Sequence, residues 1–371
     1  MPLGRRTFLV GPNASGKSNL LDALRFLRDI ATQGHGGIIQ AVKERGGLSK
    51  IRCLSARRPS DIEMEVSLAS EFGVEPKWRY GIGIKQEPRG GRRPRLVYER
   101  VWENSTQILD RPNSDQADKD DEARMTQTHL ENVNNNQKFR EIAQTLDSVL
   151  YLHLVPQLLR YPREFSGPGI PGDPFGRGFL ERIAGVPEKT RQSRLHKIEK
   201  ALKYAIPQLT ALTHVIDNSE GGVPHLEAVC ANWREHGAKQ REREFSDGTL
   251  RLIAFFWSLM EGDGMLLLEE PELSLNAGVI RRLPAVMRNL TKKQGRQLIV
   301  STHNYDLLSD GGISAEEVFL LTPGKEGTEV KRADSIREIK PLLEQGMTIA
   351  EAVLPHTEPK QGPRLEFAFD I

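Results

Sequence analysis

Cysteine is almost missing from this sequence: Cys53 and Cys230 are the only two among 371 residues. They lie far apart, with no CxxC or Cys/His ligand spacing, which argues against a disulfide framework or zinc site and fits a reducing cytoplasm. An excess of one charge is missing too. Fifty-two Lys plus Arg stand against 50 Asp plus Glu, a net +2 that neither demands nor excludes a nucleic-acid partner. No apolar run approaches the ~20 residues needed to cross a bilayer, and no basic-then-apolar leader opens the chain. The expectation is a soluble cytoplasmic protein without a membrane partner. Internal repeats and heptad runs are also absent. The length leaves room for one large α/β domain or two smaller ones.

What is present is patterned. Arg6 to Val10 read as a strand, followed by a loop and a helix whose Leu20, Leu21, Leu24, Leu27 and Ala31 share one stripe. "DIEMEVSL", "KWRYGIGIK" and "RLVYERVWE" read as strands; the last two are joined by a Gly/Pro turn carrying Arg89, Arg92, Arg93 and Arg95. That turn is a candidate phosphate-contacting surface, or simply a solvated turn. Residues 105–137 are polar, acid-rich and Asn-rich and read as an exposed, flexible insertion. A helix near Lys138 to Ser148 leads to the strand-like "VLYLHLV". Leu195, Ile198, Leu202 and Ile206 mark a helical face, and a hairpin turns at Glu220-Gly221-Gly222. From Asp247 the pattern runs helix, strand, helix, strand, which implies a parallel sheet with crossover helices.

Four short stretches carry chemistry. Gly11-Pro12-Asn13-Ala14-Ser15-Gly16-Lys17-Ser18 fits G-x-x-x-x-G-K-[ST] between strand and helix. A phosphate cradle needs successive backbone N–H groups pointing inward, which side chains would crowd, and the helix start adds its positive end. Lys17 would reach the β- and γ-phosphates, and the Ser18 hydroxyl would sit on Mg²⁺. In "GMLLLEEPELSL" a buried strand ends at Glu269 and Glu270. Glu269 would orient the Mg²⁺ shell while Glu270 acts as general base towards water. "EFSDGTLRLIAFF" places Ser246, Asp247 and Gly248 at a helix entrance, alone no more than an N-cap. "RQLIVSTHNYDLL" ends a strand at Thr302-His303-Asn304, where His303 is either a surface residue and local hydrogen-bond donor or a contact to a γ-phosphate.

In this order the four pieces resemble an ATP-binding-cassette ATPase of the RecF/SMC/OLD branch, over residues 8 to about 322. The resemblance rests on "GPNASGKSN" with Asn19 after Lys17-Ser18, on "FSDGT" at the signature position, on "MLLLEEPELSLN" and on "STH". It implies a P-loop α/β fold with a mixed sheet, an antiparallel β subdomain and a helical lobe. It also implies ATP and Mg²⁺ sandwiched between two protomers. The loop Gly11–Asn19 of one copy would face Ser246, Asp247, Gly248 and Thr249 of the other, and Ser274 to Asn276 would match the D-loop at the seam. Glu270, His303 and Lys17 would be catalytic; Ser18, Glu269 and a Q-loop glutamine, Gln157 or else Gln86, would serve the metal. One departure is Glu269 where the family usually has Asp.

The branch follows from absences. FSDGT replaces the transporters' LSGGQ, no coiled coil is present, and too little chain follows "VFLLTPGKEGTEVKR" for the Toprim nuclease of OLD proteins. The chain is similar to stand-alone ATPases with an "SDGT" signature, such as the ATPase of Septu-type anti-phage systems. That likeness implies a homodimer or higher even oligomer controlling a separately encoded effector such as a nuclease, with nucleic acid as a further partner. A transporter cassette and a non-hydrolysing ATP-sensing scaffold are the competing readings. The expected organisation is 1–104 with the phosphate loop and antiparallel strands, 105–137 as a flexible insertion, and 138–244 as helical lobe and hairpin. Residues 245–330 would carry the remaining motifs, and 331–371 C-terminal helices and tail.

Overall fold

The computed structural model describes the chain apart from residues 35, 54–60, 88–92, 163, 165–171, 233–236 and 359–371. It divides into two compact units. One comprises Met1–Arg5, Asn13–Val149 and Leu321–Val330; the other comprises Arg6–Pro12, Leu150–Leu320 and the chain from Lys331. Strand β1 (Arg6–Val10), with every residue buried, belongs to the second unit although it opens the chain.

In the first unit β2 (Ile62–Leu68), β3 (Trp78–Gln86), β4 (Pro94–Glu103) and β5 (Thr106–Arg111) form an antiparallel sheet in that order. β2 shows the alternation of a half-buried strand, with Ile62, Met64, Val66 and Leu68 turned inward and Glu63, Glu65 and Ser67 outward. The sheet packs its Trp78, Tyr80, Ile82 and Val101 against Phe26, Leu27 and Ile30 of helix Lys17–Ala31 and against Ile142 and Leu146. Gly83 sits where the register shifts, and a Cβ there would lie 2.6 Å from the Tyr98 ring.

Residues 105–137, expected as a flexible insertion, are folded. β5 is followed by helices Gln116–Asp120 and Glu122–Thr126, and the polar composition serves a buried network. Arg111, 1% exposed, donates to Asp118 (2.6 Å), Glu99 (2.8 Å) and the carbonyls of Gln127 and Arg124 (both 3.0 Å). Glu99 also accepts from the Tyr80 hydroxyl and from the N–H groups of His129 and Leu130. Composition reported the charges but not that they neutralise one another inside. Of the arginine turn, Arg89 and Arg92 lie outside the described residues, and Arg95 pairs with Glu122 at 2.7 Å.

The second unit holds β6 (Leu150–Leu152), the antiparallel sheet β7 (Leu209–Asp217), β8 (Val223–Cys230) and β9 (Ala238–Arg241), then β10 (Leu266–Glu269) and β11 (Leu298–Thr302). Gly221 and Gly222, both at φ 79°, make the expected β7–β8 turn. β9, reading Ala-Lys-Gln-Arg, carries no apolar alternation and adds a strand that the pattern did not announce. β12 (Val318–Gly324) begins in this unit and turns into β13 (Gly327–Arg332). The principal sheet runs β13-β12-β1-β11-β10-β6, and the pairs β12–β1, β1–β11, β11–β10 and β10–β6 are parallel. Helix Asp247–Met260 is buried from Thr249 to Leu259 and forms part of the core with Leu195, Ile198 and Leu202. The helical stretch expected after Asn276 is two helices, Ala277–Ile280 and Leu283–Gln294. Pro284 lies in the first turn of the second, where its missing N–H costs nothing.

Candidate functional site

Within the second unit, parallel register aligns the carboxyl ends of three neighbouring strands: Val10 pairs with Thr302, and Glu269 with Ser301. The residues that follow those ends, Gly11-Pro12, His303-Asn304 and Glu270, are therefore delivered to one edge of the sheet. In open α/β sheets that edge is where ligands bind.

The carboxylates differ in environment. Glu269 accepts the Tyr151 hydroxyl and lies 3.9 Å from His153 Nδ1. Glu270 stands just past the strand at φ 43°, a left-handed conformation unusual for a non-glycine residue, with its N–H bonded to the Ser301 carbonyl at 3.1 Å. That turn points its carboxylate at His303, Oε1 to Nδ1 2.9 Å. Glu272, two residues on, is buried and accepts from the Thr302 hydroxyl. Burial, with the neighbouring Glu270 charge, pushes its carboxyl above the ordinary range. Arg251 is buried close by, where desolvation lowers its guanidinium despite the charges of Asp247, Glu272 and Glu270. Sequence reasoning missed Tyr151, His153, Glu272 and Arg251. No local signal marked the first two: Tyr151 lies on β6 and His153 just past its end, and only the strand order sets β6 beside β10.

The rest of the loop, Asn13 to Asn19, lies in the first unit. Ala14 and Gly16 adopt left-handed φ of 61° and 95°, and helix Lys17–Ala31 starts with no side-chain cap and no acidic residue in its first turn. A Cβ on Gly16 would approach Thr328 Oγ1 to 2.6 Å. Lys17 is 8% exposed and Ser18 is exposed. A cradle closed to side chains, an uncapped helix start and a shielded lysine suit a phosphate group.

The signature residues are back in the second unit. Ser246 caps helix Asp247–Met260, its Oγ accepting the Thr249 N–H at 3.2 Å and lying 2.8 Å from Thr249 Oγ1. Gly248 packs on the expected D-loop so closely that a Cβ would meet the Ser274 carbonyl at 2.8 Å. Ser274 is left-handed at φ 61°, and Asn276 caps the next helix by accepting the Gly278 N–H at 2.8 Å. Asp247 takes Arg160 at 2.6 Å and the Gln157 amide at 3.2 Å. Gln157 is thus engaged with the signature turn; from its segment, His153 is the residue beside Glu269. The other glutamine candidate, Gln86, ends β3 in the first unit.

A family model described as "AAA domain, putative AbiEii toxin, Type IV TA system" matches residues 6–310. Among solved structures, the chain is similar to the Smc head domain with an extended coiled coil from Pyrococcus furiosus, bound there to the C-terminal domain of ScpA. Identity is 12% over 89% of this chain and 91% of that one, with a TM-score of 0.50. It is also similar to the SMC head domain from Thermotoga maritima, at 14% identity over 90% and 92% with TM-score 0.41. A third, an SmcHead bound to the C-winged helix domain of ScpA, shows 15% identity over 89% and 91% with TM-score 0.45. At 12% identity the first of these likenesses is one of fold: an α/β head with a mixed sheet. No curated protein matches the chain. Among the described residues no helix is long and apolar enough to cross a membrane.

Proposed function

Since this chain belongs to the AAA-domain family matched over residues 6–310, we propose that it is a Mg²⁺-dependent ATP hydrolase working as a head-to-tail dimer. The observation that carries the reading is the Glu270–His303 pair, 2.9 Å apart, on the sheet edge where β1 hands over to the glycine loop. Gly11 to Asn19 bind the triphosphate through backbone N–H groups, and Lys17 places a point charge on its terminal phosphates. Ser18 and Glu269 would hold Mg²⁺, which when bound would offset negative charge on the phosphates. The Tyr151 hydroxyl fixes the Glu269 carboxylate, with His153 behind it. Glu270 takes the proton of the attacking water; His303 orients that carboxylate and lies ready for the γ-phosphate. Glu272, buried and engaged by the Thr302 hydroxyl, leaves Glu270 as the base.

Ser246 and Gly248 of a second copy contribute the positive start of helix Asp247–Met260 as an anion site, and Asp247, tied by Arg160 and Gln157, keeps that turn in shape. Ser274, packed under Gly248, and Asn276 two residues on carry the state of one site to the other. The likeness to "SDGT" ATPases of Septu-type defence supports a further step. Loss of the bridging phosphate loosens the dimer and releases or engages a separately encoded effector such as a nuclease, in contact with nucleic acid. Turnover tests the reading and separates it from an ATP-sensing scaffold. Glu270→Gln is expected to bind ATP yet hydrolyse it about a hundredfold more slowly, or worse. Lys17→Ala is expected to lose nucleotide binding. Wild-type turnover in Glu270→Gln would refute the assignment.

A further inference from the structure

The phosphate loop is tied from outside by a residue more than three hundred positions along the chain. Thr328, the second residue of β13, donates its Oγ1 hydrogen to the Ser15 carbonyl at 2.8 Å, and both residues belong to the same compact unit. The rest of the side chain covers the loop: a Cβ on Gly16 would lie 3.5 Å from Thr328 Cβ and 3.6 Å from its methyl. The alternative tie would be the loop's own Ser15 hydroxyl, but that oxygen is buried without a hydrogen-bond partner.

A trans peptide is flat, and its C=O and N–H point in opposite directions. Holding the Ser15 carbonyl towards β13 therefore aims the Gly16 N–H the other way, away from β13. Ala14 and Gly16 are both left-handed, Gly16 standing at the carboxyl side of that peptide, and successive N–H groups in such a turn form an anion-binding concavity. Released from the tie, the peptide can turn about the Ser15 Cα–C bond and the N–Cα bond of the permissive Gly16. A rotated peptide would present a carbonyl oxygen where a phosphate requires a donor.

We infer that Thr328 is a positioning residue for nucleotide binding, whose hydroxyl fixes the Ser15–Gly16 peptide so that the Gly16 N–H is presented to phosphate. The inference rests on reading the loop as the ATP site. It also accounts for glycine at position 16 twice over, through its φ and through the space that Thr328 occupies.

The test compares ATP affinity, turnover at saturating ATP and melting temperature in wild type, Thr328→Val and Thr328→Ser. Valine keeps the shape and removes the hydroxyl; it is expected to raise the Kd for ATP about threefold to tenfold. Serine restores the donor and is expected to stay within about twofold of wild type. Saturated turnover should be preserved in both, because the interaction acts on binding. Thr328 is exposed, so folding is not at stake. A Thr328→Val protein with wild-type Kd would overturn the inference, whether or not its melting temperature falls. If in the same experiment Lys17→Ala abolishes binding, the ATP reading survives that loss. Wild-type protein that takes up no ATP would overturn both.

Discussion

His303 Nδ1 lies 2.9 Å from Glu270 Oε1, joining the ends of two adjacent parallel strands through their side chains. The pair depends on a backbone feature, the left-handed Glu270, which turns the carboxylate out of the strand direction and towards β11. His303→Ala removes the orienting partner but leaves the base. Turnover at saturating ATP should fall about tenfold to a hundredfold with ATP affinity nearly unchanged. Steady-state kinetics beside equilibrium ATP titration makes the comparison.

Glu270 and Glu272 are two residues apart and should respond oppositely to the same change. Burial raises the Glu272 carboxyl above its ordinary 4.5, so its ionised form is disfavoured in the folded protein. The sign follows: native stability is favoured while the group is protonated and declines as pH rises through the raised value. Glu272→Gln, a permanent neutral mimic that still accepts from Thr302, should keep turnover and melt at or above wild type. Its advantage should grow as pH rises above the ordinary carboxylate value of about 4.5. Thermal melts over that rise, set beside the inactive Glu270→Gln, provide the check.

The Arg111 network predicts a different pH effect. Burial alone would raise Asp118, but hydrogen bonds from Arg111 and Arg124, with their charges, hold it below its ordinary 3.8. Asp118 therefore stabilises the fold above the unfolded value, and the contribution is lost as pH falls below about 4. Asp118→Asn should destabilise the first unit at neutral pH, and the deficit should shrink under acid. Arg111→Met leaves Glu99 and Asp118 buried without their cation and should cost about 3–5 kcal/mol. Urea unfolding at pH 7 and pH 3.5 measures both.

Much of the fold was legible because it rests on local periodicity. The alternation of β2, the apolar runs of β10 and β11, and the stripe on helix Lys17–Ala31 could be read directly. What failed depended on distant partners. Nothing near Asp118 in the sequence announces Arg111 as its buried counter-ion together with Glu99. Gln157 was selected by its place after a strand, yet its amide goes to Asp247, 90 residues away. Of the motif residues, Gly11, Glu269, Glu270 and His303 were legible as strand ends. Their arrangement on one sheet edge required the strand order.

The head-to-tail sandwich is tested most directly by mixing two inactive proteins, Lys17→Ala and Ser246→Arg. Each is expected to be inactive alone, one for lack of nucleotide and the other because a bulky cation fills the signature turn. A mixed dimer of the proposed kind pairs the intact loop of one copy with the intact signature of the other. Since random exchange makes half the dimers mixed, ATP turnover should recover to about a quarter of wild type. A mixture that stays as inactive as its parents, under conditions where the subunits demonstrably exchange, would contradict the account.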